Sequence, residues 1–131
     1  MKTLIVEDDF TSRLLLQSLL SRYGECHIAV NGKEAVEAFR LAIDNGSSYG
    51  LVCMDILLPE MDGKEAVKQV RAIEGANGVL STHGAKIIMT TALDDMKEVI
   101  RSFQELCDAY LYKPIDGGEL LRQLRAFGLV T

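Results

Sequence analysis

Four short groups of residues carry side chains that could do chemistry: Glu7-Asp8-Asp9, Asp55, Thr91-Ala92 and Lys113-Pro114. Asp55 is the sharpest of them. It closes the apolar run Leu51-Val-Cys-Met, and a charge directly after a strand buried on both faces needs a reason. Carboxylates brought onto one rim repel, and at ~5 Å with an effective dielectric near ~20 each like-charged pair costs about 3 kcal/mol. Such a cluster calls for a cation. Carboxylates without His or Cys select a hard, oxygen-seeking ion, and few protein ligands with room for water and phosphate favour Mg²⁺. Lys113 adds a fixed positive charge and Thr91 a hydroxyl. Together these are the parts needed for in-line phosphoryl transfer to an aspartate. Asp55 would be the nucleophile, the metal and Lys113 would neutralise the transferring group, and Thr91 with the Ala92 N–H would hold a third phosphoryl oxygen.

The groups lie far apart in the chain, so the elements between them must bring them together. Short β-like runs alternate five times with helical periodicity. The strands are predicted at Thr3–Glu7, Cys26–Val30, Leu51–Met54, Lys86–Thr91 and Asp108–Tyr112. The first helix is predicted over Ser12–Tyr23, with Leu15, Leu16, Leu19, Leu20 and Tyr23 on one face. Asn31 with Glu34, Asp62 with Glu65, and Asp116 with Glu119 are helix starts of the capping-box kind. The second helix buries Ala35, Val36, Phe39, Ala42 and Ile43, the third Ala66, Val67, Val70 and Ile73, and the last Leu120, Leu121, Leu124 and Phe127. A fourth helix begins at Asp94 or Asp95, with Met96, Val99, Ile100 and Phe103 as its stripe. Asp55 falls on a strand-to-helix loop. Glu74 to Ala85, with three glycines and little periodicity, reads as a long loop on the rim opposite the acids.

Five βα units in 131 residues imply an α/β fold: an open parallel sheet, right-handed crossovers and helices on both faces. Ligands of such sheets bind at the strand carboxyl ends, and that rule gathers all four groups onto one rim. The length is that of a single domain. Fourteen basic against nineteen acidic residues leave a net charge of -5, which supplies no electrostatic footprint for nucleic acid or an anionic membrane. No apolar run approaches the roughly 20 residues of a membrane span, and Met1-Lys2-Thr3 leads into a strand, not a signal peptide, so a cytoplasmic location is expected. Cys26, Cys53 and Cys107 lack metal-ligand spacing and read as buried reduced thiols, while His27 and His83 are assigned no role.

One family shares this pattern. An apolar strand ending in Glu7-Asp8, Met54-Asp55 followed by Pro59 and Asp62-Gly63, the Thr91-Ala92 pair, and Tyr110-x-x-Lys113-Pro114 span the chain in order. The chain thereby resembles the CheY-like receiver domains of two-component response regulators. The resemblance implies a flavodoxin-like (βα)5 doubly wound sandwich with a five-stranded parallel sheet in order 2-1-3-4-5. It makes Asp55 the phosphoacceptor, Asp8 a direct Mg²⁺ ligand, Glu7 a ligand through water, and the backbone carbonyl of Leu57 a further ligand. Asp9 is a third acid, and which two of the three act stays open. Lys113 would pair with the phosphoryl group, Thr91 would close on it, and Tyr110 would be the switch aromatic. The output surface would be the fourth helix, fifth strand and fifth helix. Implied partners are a sensor histidine kinase or a histidine phosphotransfer protein as donor, and a downstream protein target of unknown identity.

Leu57 and Leu93 lie two residues beyond Asp55 and Thr91, where the family's attacking water passes. Both are apolar, so a long-lived acyl phosphate is expected. The last helix uses the residues to Thr131, so residues 1–131 are expected to form a single receiver domain without an output domain, acting through a partner. A switch and a phosphorelay shuttle both satisfy the sequence. An enzyme acting on external substrates is disfavoured, because a haloacid-dehalogenase phosphatase needs a second Asp where Leu57 stands. A flavin binder is disfavoured too, because Glu7-Asp8-Asp9 would repel its phosphate.

Overall fold

All five apolar runs become strands of one sheet in the computed structural model, which describes residues 1–80, 83–92 and 106–131. They are β1 (Thr3–Val6), β2 (Cys26–Ala29), β3 (Leu51–Asp55), β4 (Lys86–Ala92) and β5 (Ala109–Lys113). Every pairing is parallel and the order is β2-β1-β3-β4-β5. Side chains alternate between the faces of a strand, so each strand feeds two cores. On one face Leu4, Val6, Val52, Met54, Ile87 and Met89 pack against α2 (Gly32–Asp44) and α3 (Gly63–Ala76). On the other, Ile5, Cys53, Ile88 and Leu111 meet Leu16 and Leu20 of α1 (Phe10–Leu20) and Leu120 and Leu124 of the last helix, α4 (Gly117–Ala126). The predicted helix starting at Asp94 or Asp95 lies outside the described residues, as does Leu93.

Helix starts follow the local chemistry. Asn31 accepts from Glu34 N at 2.8 Å while Glu34 reaches back to Val30 N at 3.1 Å, and Asp62 accepts from Glu65 N at 2.9 Å. Asp116 accepts from Gly118 N at 2.8 Å. Each satisfies an amide that the first helical turn leaves unpaired. The first helix starts two residues before the predicted Ser12, because Asp9 caps it through Ser12 N at 2.9 Å. Its α-helical part ends at Leu20, with a 3₁₀ turn over Ser21–Tyr23. On its stripe Leu16 and Leu20 are buried, whereas Leu15 is 38% exposed.

The predicted loop at Glu74 is corrected: α3 runs on to Ala76. Glu74 is a buried anchor, not a loop residue. Its Oε1 pairs with Arg71 at 2.8 Å and its Oε2 accepts from Ala85 N at 2.7 Å. Arg71 also donates to Ala85 O, Leu106 O and Asp108 Oδ2 at 2.8, 2.9 and 3.1 Å, tying α3 to the entries of β4 and β5. Asp55, expected on a loop, is the final residue of β3 and is buried. Of the thiols, Cys53 is fully buried and burial pushes it up to about 12, whereas Cys26 and Cys107 are half-buried. His27 bridges Tyr49 Oη at 2.7 Å and Glu25 Oε1 at 2.8 Å. Among the described residues no helix is long and apolar enough to cross a membrane.

Candidate functional site

The carboxyl ends of β1, β3 and β5 place Glu7, Asp55 and Lys113 side by side. Strand parity explains it: Ile5, Cys53 and Leu111 face the α1/α4 core, so the residues two further on face the same way, at the rim. Lys113 Nζ lies 2.5 Å from Glu7 Oε1 and 2.8 Å from Asp55 Oδ2. The second oxygen of Asp55 accepts from Leu57 N at 3.1 Å. Glu7 Oε2 accepts from Asp9 N at 3.3 Å, and Arg13 holds the Glu7 carbonyl at 3.3 Å. The turn after Asp55 is tight. Gly63 lies so close that a Cβ there would meet Asp55 O at 2.6 Å, which is why that helix begins on glycine.

Of the three acids after β1, Glu7 and Asp8 converge with Asp55, with one oxygen from each within 4.8 Å of the others. Asp9 is used differently, as the α1 cap, and the hydrogen bonds from Ser12 hold its carboxyl below the usual range. Glu7 is wholly buried, and its pKa is pushed up to about 7, first by burial and then by hydrogen bonding to Asp55, with Lys113 opposing. Burial alone would lower Lys113, but hydrogen bonds to Asp55 and Glu7 outweigh it and raise the ammonium above its ordinary value. One lysine is therefore shared by Glu7 and Asp55, with the Asp8 carboxylate beside them.

These residues suit a hard divalent cation. The donor set is all carboxylate oxygen, with Glu7 and Asp55 buried and Asp8 open to water. Bound there, Mg²⁺ would neutralise charge on a phosphoryl group. Glu7, Asp8 and Asp55 would hold it.

The other predicted residues divide. Leu57 brings its backbone N–H to Asp55, and its side chain is 64% exposed. Thr91 is buried on the opposite parity to Asp55, and its hydroxyl donates to Ala92 O at 3.3 Å. Ala92 closes β4 beside Lys113. Tyr110 sits in β5, half-buried against the α2/α3 core. Burial, then a hydrogen bond with the Cys107 side chain, raises its phenol. Sequence reasoning did not single out Arg13 or Thr90. Nothing distinguishes an arginine one turn into a helix or a threonine inside a strand until the rim is assembled.

A parallel doubly wound sheet with a lysine-bridged carboxylate cluster at its carboxyl rim defines an α/β protein whose rim could hold a cation. The chain belongs to the response regulator receiver domain family, whose model matches residues 3–125. It is 33% identical over 124 residues to the transcriptional regulatory protein SrrA of Staphylococcus aureus, covering 94% of this chain and 46% of that protein. The chain thus spans about half the length of the curated relatives it matches. Among solved structures it is similar to the complex of the Saccharomyces cerevisiae histidine phosphotransfer protein Ypd1 with the receiver domain of Ssk1. That match has 30% identity and a TM-score of 0.80, covering 98% of this chain and 88% of that one. It is also similar to the receiver domain of the Pseudomonas aeruginosa sensor histidine kinase PA1611, with magnesium in its active-site cleft, at 26% identity, TM-score 0.76 and 97% coverage of each chain.

Proposed function

We propose that this receiver accepts a phosphoryl group on Asp55 from a phosphohistidine, in a Mg²⁺-dependent reaction, and thereby changes a partner-binding surface. The observation that carries this reading is the Lys113 ammonium, 2.8 Å from Asp55 and 2.5 Å from Glu7, beside an acidic trio able to hold a cation. An Asp55 oxygen forms a bond to phosphorus as the phosphorus–nitrogen bond of the donor breaks. The imidazole departs neutral when its other nitrogen carries a proton. Lys113 follows the negative charge from the carboxylate onto the phosphoryl oxygens. Thr91 turns its hydroxyl from Ala92 O to a phosphoryl oxygen that the Ala92 N–H also serves, and Tyr110 follows into the space Thr91 leaves. The Leu57 carbonyl would be a further oxygen ligand for the metal. Output then passes through β5, α4 and the predicted helix after Asp94.

The donor is a sensor histidine kinase or a histidine phosphotransfer protein. The complex with Ypd1 among the structural neighbours supports the second class. The chain's catalysis is confined to its own phosphorylation and dephosphorylation. Incubation with acetyl phosphate and Mg²⁺, read by intact mass, tests the reading: the wild type gains one phosphoryl group, and Asp55→Asn gains none while melting as a folded protein. Labelling of Asp55→Asn at another residue would refute the assignment.

A further inference from the structure

Among the described residues, two buried side-chain hydroxyls on the β-face that carries the site lack a hydrogen-bond partner: Thr3 Oγ1 at the entry of β1 and Thr90 Oγ1 near the exit of β4. An unpaired buried hydroxyl costs stability and asks for an explanation. Thr3 has none near it, since the acids are at the other end of β1. Thr90 is placed otherwise. It pairs in register with Asp55 on one side and Leu111 on the other, so the three side chains stand in one row on one face.

Lys113, two residues beyond Leu111, shares that face. Its strand is separated from that of Asp55 by β4, and neighbouring strands lie about 4.8 Å apart. The lysine stem reaches Asp55 Oδ2 at 2.8 Å by crossing β4, and the β4 residues on that face are Ala92 and Thr90. Ala92 leaves room for the stem. Thr90 puts a hydroxyl beside the ammonium's destination.

We infer that Thr90 is a positioning residue for phosphoryl transfer, its hydroxyl accepting a hydrogen bond from the Lys113 ammonium once Asp55 carries the phosphoryl group. This rests on the phosphoacceptor reading of Asp55. The ammonium has three N–H donors. In the resting protein it is shared between Glu7 and Asp55. Transfer moves the negative charge of Asp55 outward to the phosphoryl oxygens, so Asp55 Oδ2 becomes a neutral and weaker acceptor for the N–H that faced it. Thr90 Oγ1 supplies a buried replacement, and the remaining donors point at the phosphoryl group. A bond made only as charge moves lowers the barrier without tightening the resting state.

The test compares Thr90→Val, Thr90→Ser and Thr3→Val by acetyl-phosphate labelling across phosphodonor concentrations in Mg²⁺, with thermal melts in EDTA. Thr90→Val is expected to melt no lower than the wild type, yet lose about ten-fold in maximal labelling rate, the value of one hydrogen bond to a charged group, with the half-saturating concentration unchanged. Thr90→Ser keeps the hydroxyl and the rate. Thr3→Val removes an equivalent orphan and leaves the rate alone. Thr90→Ala repeats the comparison if the valine variant does not fold. Thr90→Val labelling within two-fold of the wild type, or Thr3→Val losing as much, overturns the inference while Asp55 remains the acceptor. A wild type that takes no label overturns both.

Discussion

Replacing Glu7 by Gln should stabilise the metal-free protein at alkaline pH while destroying its use for a cation. Glu7 is wholly buried and its pKa is raised from an ordinary 4.5 to about 7, chiefly by burial. A raised carboxyl pKa means that the folded state binds the proton more tightly than the unfolded chain. Stability from this group is therefore fully present below about pH 4.5, drains away as pH rises, and is gone above about pH 7. At about 1.4 kcal/mol per pH unit, the span is worth about 3 kcal/mol. For a domain of this size that corresponds to roughly 10 °C in Tm.

Urea and thermal unfolding in EDTA at pH 5 and pH 8 read this directly. Wild type and Glu7→Gln should differ by under about 1 kcal/mol at pH 5, and the variant should lead by about 3 kcal/mol at pH 8. Lys113 is the counterweight. Its contact with Glu7 is already included in the net shift, so losing it does not reverse the sign. Added Mg²⁺ should raise the wild-type midpoint by mass action and leave Glu7→Gln nearly unmoved. A variant less stable than the wild type at pH 8 would show that the Lys113 ion pair outweighs the burial of the carboxylate, and the reasoning would fail.

Other outcomes follow from the same geometry. Arg71→Met strands the buried Glu74 carboxylate and the carbonyls of Ala85 and Leu106, so urea denaturation should register a loss of about 3 kcal/mol or more. Gly63→Ala forces a methyl to 2.6 Å from Asp55 O; a loss of about 1–3 kcal/mol and slower labelling are expected, and a neutral variant would contradict the close packing. Leu57→Asn sets an amide beside Asp55 that can orient water, so phosphoryl loss in Mg²⁺ should quicken several-fold; an unchanged half-life rejects the long-lived acyl phosphate.

Features decided by near neighbours could be read from the chain alone. The apolar runs declared the strands: β1, β3 and most of β4 are buried on both faces and so lack alternation, while the edge strands β2 and β5 keep partly exposed positions such as Ile28 and Tyr112. Asn31, Asp62 and Asp116 declared three helix starts, because a cap needs a side chain only two or three residues from the amide it satisfies. The acids, the hydroxyl and the lysine could be nominated because βα alternation sends every strand's carboxyl end to one rim.

What needed the tertiary structure was every choice between chemically similar residues. Glu7, Asp8 and Asp9 look alike in sequence, yet one is sealed under Lys113, one is open to water and one is used by Ser12. Glu74 looked like the start of a loop because what holds it, Ala85 N and the acceptors that fix its neighbour Arg71, lies beyond its own helix. Thr90 and Thr91 are adjacent and identical in type, but strand parity turns one toward the row of Asp55 and Lys113 and the other away from it. Composition and spacing determine which groups can meet. Only packing, which sets the depth, side and partner of each group, decides which ones do.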